Sequence, residues 1–405
     1  MSVELTSEFL HRALRHYYGY DSFRAGQEEI VRGILSGRPV LAVLPTGAGK
    51  SLCFQLPSLL LKGMTLVISP LVSLMKDQAE QLRGRGISAE YIDSSMPSGA
   101  QGRVLYEALQ GRCKFLYVAP ERLGNAQFAA FARSAQITLA AVDEAHCVSQ
   151  WGRSFRRDYY RIPEFLASLP HRPLVAAFTA TATPEVRRDI LQRLQLADAQ
   201  VVVSGFDRPN LYFAVKRSFD KQRDLLAFLR SRRGRCGIIY CSTRAKVEQV
   251  ARLLLRMRYP ALRYHAGLTP EERRRNQQLF SSGKIPLMVA TNAFGMGIDK
   301  ADVRFVLHYN MPKDLESYYQ EAGRAGRDGL PAECLLLYNQ SDAAVNRYLI
   351  AGSGAELGVQ RQERLLLEKM QAYCGTRGCL RHYLLAYFGE SSRERCGCCG
   401  NCIAR

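Results

Sequence analysis

Short apolar runs rich in β-branched residues alternate with longer stretches of helical periodicity along most of this chain, and this alternation most restricts its fold. Parallel strands joined by crossover helices produce such a pattern. The turn-rich segment SGFDRPN (204–210) separates two series of runs. The runs are VLAVL, TLVISP, FLYVAP, TLAAVDE and LVAAFTAT, then GIIYCST, LRYHAG, LMVATN, VRFVLHYN and ECLLLYN. We predict two α/β domains, at residues 1–205 and 206–340, and a helical region at residues 341–405.

A glycine-rich turn between a predicted strand and a predicted helix is the clearest chemical signal in the first domain. In LAVLPTGAGKSLCFQ (41–55), backbone N–H groups can surround a phosphate, Lys50 can reach the terminal phosphates, and Ser51 can hold Mg²⁺. Leu44 stands where the strict G-x-x-x-x-G-K-S pattern has its first glycine. A turn that merely contains a lysine is the alternative. The predicted nucleotide-binding residues of this turn are Thr46, Gly47, Gly49, Lys50 and Ser51.

Two adjacent carboxylates end the apolar run TLAAVDE. Asp143 would hold Mg²⁺ through water, and Glu144 would orient and deprotonate the attacking water. A helix N-cap is the ordinary role of such a pair, but the glycine-rich turn upstream favours catalysis. We therefore predict that both carboxylates act in nucleotide hydrolysis.

The segment YYGYDSFRAGQEEI (17–30) offers an aromatic ring, a cation and an amide close together at a helix start. Gln27 could bond a donor and an acceptor on an adenine edge, while Tyr20 and Arg24 flank the ring. A packed helix entrance is the alternative.

In the second domain, YYQEAGRAGRDG (318–329) places Arg324 and Arg327 one turn apart. Arginine supplied from a facing domain stabilises the charge that develops during phosphoryl transfer. Surface salt bridges are the alternative.

The formal net charge is +19, from 56 Lys and Arg against 37 Asp and Glu. Residues 230–284 hold fourteen Lys or Arg against three acidic residues. A polyanionic partner is the simplest explanation, and a solvated basic face is the alternative. Since no apolar run reaches the roughly 18 residues that span a bilayer, we expect no membrane partner and a location inside the cell.

Six of the twelve cysteines lie in the last 32 residues. Cys379 and the C-x-x-C-x-x-C run of Cys396, Cys399 and Cys402 can form a closed, structural tetrahedral zinc site. An iron–sulfur cluster or unligated thiols are the alternatives, and Cys398 is a possible adjacent ligand.

The motifs PTGAGKS, DEAH, TATAT, ATNAFGMGIDK and QEAGRAGRDG occur in the order seen in superfamily 2 helicases. FRAGQEEI, SPLVSLMKDQ, AVDEAHCVSQWGRSFRRDY and SYYQEAGRAGRDGLPAE resemble the RecQ family of DNA helicases more specifically. The resemblance implies two tandem RecA-like P-loop lobes with parallel sheets, followed by a small helical zinc-binding module. It also implies ATP, Mg²⁺ and Zn²⁺ as cofactors, and unwinding of DNA in the 3′ to 5′ direction.

The resemblance places Tyr20, Arg24 and Gln27 at the adenine and makes Arg327 the arginine finger, with Arg324 beside it. By the same resemblance, His146 relays the nucleotide state to the loop that follows it. The loop residues expected to touch single-stranded DNA are Trp151, Phe155 and Arg156. Cys398 has no role in this family pattern.

The expected partners are single-stranded DNA and 3′-tailed duplex DNA in repair and recombination, with other repair or single-strand-binding proteins as further candidates. The compartment would be the cytoplasm or nucleoid in a bacterium and the nucleus in a eukaryote. The oligomeric state stays open, with a monomer as one option. Many RecQ relatives continue into a winged-helix domain and a further helical domain, which are not expected in this sequence. Two alternatives also remain: a translocase or RNA remodeller that opens little duplex, and a non-catalytic DNA-binding scaffold.

Overall fold

The computed structural model describes residues 6–45, 47–93, 96–149, 157–295 and 300–403. The chain divides into two compact units, Met1–Gly205 and Phe206–Arg405. Each unit is built around one parallel sheet, so the predicted α/β class is confirmed. The residues predicted as a third domain, 341–405, lie within the second unit.

The described strands of the first unit form one parallel sheet. They are β1 (Val40–Val43), β2 (Met64–Ile68), β3 (Ala89–Ile92), β4 (Phe115–Val118), β5 (Ile137–Val142), β6 (Leu174–Thr179) and β7 (Gln200–Val203). Their order across the sheet is β3-β4-β2-β5-β6-β1-β7. The strands β1, β2 and β4 are buried along their whole length, because a parallel sheet is covered on both faces.

The helices of the first unit lie before and between these strands. They are α1 (Ser7–Tyr18), α2 (Gln27–Leu35), α3 (Lys50–Leu60), α4 (Val72–Gly84), α5 (Ser98–Leu109), α6 (Ala126–Ser134), α7 (Arg161–Ala167) and α8 (Pro184–Arg193). Short 3₁₀ turns cover Pro120–Gly124, Ala145–Val148 and Arg157–Tyr160. The turn at Ala145–Val148 follows the carboxylate pair directly.

The second unit repeats this plan with a smaller parallel sheet. Its described strands are β8 (Leu211–Arg217), β9 (Gly237–Tyr240), β10 (Ala261–Tyr264), β11 (Leu287–Ala290), β12 (Phe305–His308) and β13 (Ala332–Tyr338). Their order is β10-β11-β9-β12-β13-β8. The helices are α9 (Lys221–Arg230), α10 (Arg244–Arg256), α11 (Pro270–Ser281), α12 (Leu315–Ala322), α13 (Gln340–Ala351), α14 (Leu357–Gly375), α15 (Leu380–Tyr387) and α16 (Gly400–Ile403).

Threonine and proline set several helix starts in both units. Thr183, Thr243 and Thr269 each accept a hydrogen bond from a backbone N–H in the first turn of the helix that follows. Pro184 and Pro270 occupy the first helical position, where the missing N–H costs nothing. Local sequence therefore fixes where α8, α10 and α11 begin.

The C-terminal helices pack against the segment that enters β8. Arg381 of α15 donates to the carbonyl oxygens of Arg208 at 2.8 Å and of Leu211 at 2.5 Å. The rings of Phe206 and Phe388 stack with their centroids 4.6 Å apart. These contacts explain why the helical region and the second sheet form one compact unit. None of the described helices is long and apolar enough to cross a membrane.

Candidate nucleotide-binding and metal sites

The glycine-rich turn lies at the carboxyl end of β1 and leads into α3. Gly47 and Gly49 have φ angles of +86° and +78°, a left-handed conformation that glycine adopts without steric cost. A Cβ atom on Gly49 would lie 2.6 Å from Nε2 of Gln27. The turn thus has the backbone shape that surrounds a phosphate, with the N-terminus of α3 beside it. Thr46 lies outside the described residues.

Two of the residues predicted at the adenine hold this turn. Arg24 donates from Nη1 to the carbonyl oxygen of Gly47 at 2.5 Å, and Gln27 donates from Nε2 to the carbonyl oxygen of Ala48 at 2.8 Å. Gln27 also accepts from the backbone N–H of Arg24 at 2.9 Å and is only 4% exposed. Tyr20 is 53% exposed. The sequence reasoning missed the contacts of Arg24 and Gln27 with the turn, and their role at the adenine stays a prediction.

The carboxylate pair lies at the carboxyl end of β5. Asp143 accepts hydrogen bonds from Ser69 Oγ at 3.2 Å and from the backbone N–H of Glu144 at 2.9 Å. Burial raises the pKa of Asp143 to about 6, the Glu144 carboxylate adds to this rise, and the nearby Lys50 ammonium opposes it. Tyr159 fixes the backbone by donating to the carbonyl oxygen of Asp143 at 2.9 Å. The structure therefore brings Lys50 into electrostatic range of the pair.

The predicted magnesium ligands are a hydroxyl and a carboxylate. Oxygen ligands of this kind suit Mg²⁺, so the donor set fits the ion. Ser51 Oγ accepts a hydrogen bond from Gln78 Nε2 at 2.9 Å, and Lys50 Nζ lies 3.4 Å from the carbonyl oxygen of Leu44. Gln78, on α4, was not predicted from the sequence, because its contact with Ser51 depends on how α4 packs.

His146 links the carboxylate pair to the TATAT segment. Its Nδ1 lies 3.2 Å from Glu144 Oε2 and 3.0 Å from Thr179 Oγ1. Burial lowers the pKa of His146, but the Cys147 and Glu144 side chains outweigh it and raise the pKa above its ordinary value. The loop residues predicted to touch DNA, Trp151, Phe155 and Arg156, lie outside the described residues.

In the second unit, the two arginines of the QEAGRAGRDG segment differ in their surroundings. Arg324 is 8% exposed, and its guanidinium donates to the carbonyl oxygen of Gly295 and lies beside the Tyr240 hydroxyl. Arg327 is half-buried. The structure thus engages Arg324 within its own unit, and a role for either arginine in hydrolysis stays a prediction.

Arg208, in the turn-rich segment that separates the two series of apolar runs, holds the turn that carries these arginines. Its guanidinium donates to the carbonyl oxygens of Gly323 at 3.3 Å, Ala325 at 3.0 Å and Gly326 at 2.8 Å. This role was not predictable from local patterns, because the partners lie more than a hundred residues away.

Four cysteines of the C-terminal region meet as predicted. The Sγ atoms of Cys379, Cys396, Cys399 and Cys402 all lie within 4.8 Å of one another. Cys399 Sγ is 3.9 Å from Cys379 Sγ, close to the roughly 3.8 Å that tetrahedral zinc with Zn–S bonds of about 2.3 Å requires. Cys398 is exposed and is not part of this group. The thiolate set fits structural zinc.

Backbone contacts support the cysteine cluster. Asn401 donates from Nδ2 to the carbonyl oxygens of Thr376 at 2.9 Å and Gly378 at 2.8 Å. Cys379 also accepts from the backbone N–H of His382 at 3.4 Å at the start of α15. The loop before α15 and the last helix are thereby joined beside the metal ligands.

Sequence profiles of three domains match the chain in order. They are the DEAD/DEAH box helicase domain at residues 24–190, the helicase conserved C-terminal domain at 220–329 and the RecQ zinc-binding domain at 340–403. The ATP-dependent DNA helicase RecQ of Bacillus subtilis (strain 168) is 45% identical over 401 residues, which cover 97% of this chain and 67% of that protein. This chain belongs to the RecQ family of DNA helicases.

A second curated relative agrees with this assignment, and a solved structure has a similar fold. The ATP-dependent DNA helicase RecQ of Pasteurella multocida (strain Pm70) is 42% identical over 392 residues, covering 96% of this chain and 61% of that protein. The chain therefore spans about two thirds of the length of these curated relatives. The crystal structure of the DUF1998 helicase MrfA bound to DNA matches with a TM-score of 0.70 at 17% identity, covering 96% of this chain and 60% of that one. This likeness bears on the fold alone.

Membership in the RecQ family confirms the predicted class of enzyme, an ATP-dependent DNA helicase with a zinc-binding module. It also accounts for two of the predicted cofactors, ATP and Zn²⁺. The magnesium ion and the roles of the individual site residues stay predictions.

Proposed function

We propose that this chain hydrolyses ATP and uses the free energy to move 3′ to 5′ along single-stranded DNA and to open duplex DNA during repair and recombination. The observation that carries the proposal is that the turn with Lys50, after β1, and the Asp143–Glu144 pair, after β5, lie at the same carboxyl edge of the first parallel sheet, with Lys50 in electrostatic range of Asp143. A cation for the phosphates and two carboxylates for the metal and the water are the groups that phosphoryl transfer to water needs.

Each group has a distinct role in the proposed reaction. Lys50 balances charge on the terminal phosphates, and Ser51 with Asp143 would hold Mg²⁺, which would neutralise the phosphate oxygens. Glu144 accepts a proton from the attacking water, and the nearby His146 nitrogen holds its carboxylate in place.

Free energy favours a motor over a passive binder. Opening DNA costs roughly 1.4 kcal/mol per base-pair step, so ten steps cost about 14 kcal/mol. A nanomolar complex supplies about 12 kcal/mol once. Repeated opening therefore requires repeated hydrolysis.

We further propose that His146 carries the nucleotide state away from the phosphates. One ring nitrogen faces both Glu144 and Thr179, so a change at the carboxylate on hydrolysis alters the hydrogen bond to the TATAT segment. The loop that contains Trp151 follows His146 in the chain and would receive this change. We therefore expect single-stranded DNA to stimulate ATP hydrolysis.

ATP hydrolysis with and without single-stranded DNA tests the proposal, together with unwinding of 3′-tailed and 5′-tailed duplexes. We expect Lys50→Ala and Glu144→Gln each to lower hydrolysis by a factor on the order of 10² to 10⁴. Lys62→Ala, at an exposed lysine just beyond α3, is the matched control and should hydrolyse ATP normally. Full hydrolysis in either site variant would refute the assignment.

The same assay separates the alternatives. Equal stimulation by RNA and DNA would favour an RNA remodeller, and stimulated hydrolysis without unwinding would favour a translocase. Arg327→Ala is expected to slow hydrolysis while ATP still binds, since the charge it supplies matters most in the transition state.

A further inference from the structure

The six described strands of the second sheet run parallel, so all of them begin at one edge of the sheet. The motifs ATNAFGMGIDK and QEAGRAGRDG begin near the ends of β11 and α12. The loops that precede β9, β10 and β11 contain neither motif. Those loops, with the adjoining helix ends, expose six cations, which we name the basic edge: Arg230, Arg233, Arg235, Arg256, Arg258 and Lys284.

The three loops are neighbours in space. The strand order β10-β11-β9 sets their starts side by side, about 10 Å across two strand spacings. The guanidinium of Arg233, before β9, lies 5.7 Å from the ring centroid of Tyr259, before β10. The backbone N–H of Gly237 donates to the carbonyl oxygen of Pro286 at 2.9 Å, which joins the starts of β9 and β11. The basic edge is therefore one surface.

Acidic residues at this end of the sheet are already paired with other cations. Asp302 pairs with Lys300 at 2.9 Å, Asp328 with Arg304 at 2.6 Å, and Glu333 with Arg232 at 2.5 Å. Within the described ranges, none of the six cations of the basic edge has a carboxylate at ion-pair distance. A concentration of like charge without counter-charges destabilises a folded surface, so an external anion is the natural complement.

Arg258 adds an independent observation. It lies just after the C-cap of α10 with a φ of +59°, a position where glycine is the usual residue. The helix end is closed there by a hydrogen bond from the N–H of Tyr259 to the carbonyl oxygen of Leu254 at 2.9 Å. A charged side chain is thus kept in a strained conformation within the basic edge, before its outermost strand β10, as happens where a residue serves binding.

We propose that the basic edge binds the phosphate backbone of duplex DNA, as a contact separate from the nucleic-acid site of the helicase motifs. Duplex DNA carries one charge per roughly 1.7 Å of axis, so about six phosphates lie along 10 Å of duplex, and those on the near side can contact the basic edge. Single-strand sites use exposed aromatic rings, whereas the neighbouring exposed side chains here are Leu255 and Met257, and Tyr259 is half-buried. The inference rests on the proposed function only in taking DNA as the ligand.

The test compares two triple variants with the same loss of charge, in the absence of nucleotide. Anisotropy of labelled DNA gives the affinity for a blunt duplex and for a single strand over a range of salt concentrations. The basic-edge variant is Arg235→Gln, Arg256→Gln and Arg258→Gly, and the control, at exposed arginines of the first unit, is Arg12→Gln, Arg103→Gln and Arg133→Gln. Replacement of Arg258 by glycine suits the local backbone, so the variant should fold.

For the duplex, we expect the slope of log affinity against log salt to fall by about 2.7 relative to the control, because three contacts contribute about 0.9 each. The single-strand slope should not change. A duplex slope equal to that of the control, or an equal fall on the single strand, would overturn the inference. ATP hydrolysis stimulated by single-stranded DNA is measured on the same samples. If stimulation is missing while the duplex slope falls as expected, the proposed function is wrong, but the inference that the basic edge binds duplex DNA is supported.

Discussion

Replacing Gln27 with methionine separates two roles for this residue. In the structure, the Gln27 amide holds the phosphate-binding turn, whereas the sequence predicts a contact with adenine. Gln27→Met keeps the length of the side chain but removes its donor and acceptor. The variant should bind nucleotide more weakly because the turn loses its support.

The size of the loss follows from the hydrogen bonds removed. Gln27 makes two short bonds with backbone groups of Ala48 and Arg24, at 2.8 and 2.9 Å, and a longer one with Gly49 at 3.4 Å. A net contribution of about 1 kcal/mol for each short bond gives about 2 kcal/mol. If all of this free energy is lost from the ordered turn, the affinity falls by up to about 30-fold.

The assay uses a ligand without a base. Binding of the Mg²⁺ complex of inorganic triphosphate, measured by calorimetry, should weaken in Gln27→Met as much as binding of ATP does. Gln55→Met is the control, because Gln55 also makes two side-chain bonds, with Tyr18 and Tyr117 at 3.1 Å, but does not touch the turn. Unchanged triphosphate binding with weakened ATP binding would refute the holding role and leave the adenine contact.

Two further predictions concern the second unit. Arg258→Gly should raise the free energy of unfolding by about 1 kcal/mol, because glycine relieves the left-handed backbone. Arg252→Gly, inside the same helix, should lower it by about as much. Thermal and denaturant unfolding midpoints that shift in the same direction in both variants would contradict this. Cys399→Ser should reduce bound zinc well below one ion per chain, whereas Cys398→Ser should keep about one. Metal analysis of the purified variants makes the comparison, and loss of zinc from both would mean that Cys398 also binds the metal.

The sequence predicts the described central strands, but of the four edge strands it predicts only β10. The runs TLAAVDE and LVAAFTAT became the buried β5 and β6, because a strand covered on both faces must be apolar throughout. The strands β3, β7 and β8 have no counterpart among the predicted runs. All three lie at the edge of a sheet and are partly exposed, so their hydrophobic signal is weak.

Some features of the candidate sites could also be predicted from the sequence, and others could not. The cysteine cluster was predictable, because zinc chemistry requires certain residue types at short spacings. The turn with Lys50 and the carboxylate pair follow β1 and β5, as their position after apolar runs predicts, while their roles in hydrolysis stay predictions. The contacts of Gln27 with the turn and of Gln78 with Ser51 depend on the packing of separate helices, which local patterns do not encode. Arg324 shows the limit of spacing arguments, since its guanidinium is turned toward Gly295 within its own unit.

The zinc module and the segment with the predicted arginine finger are connected through one short stretch of chain. Arg381, on the helix that begins at a zinc ligand, donates to the carbonyl oxygen of Arg208, and the Arg208 guanidinium in turn holds the turn from Gly323 to Gly326. Arg327 follows that turn directly. Loss of zinc would release α15 and with it the backbone that positions Arg208. We therefore expect that a structural zinc ion also helps to fix the geometry of the arginine segment, because the groups of a buried hydrogen-bond network support one another.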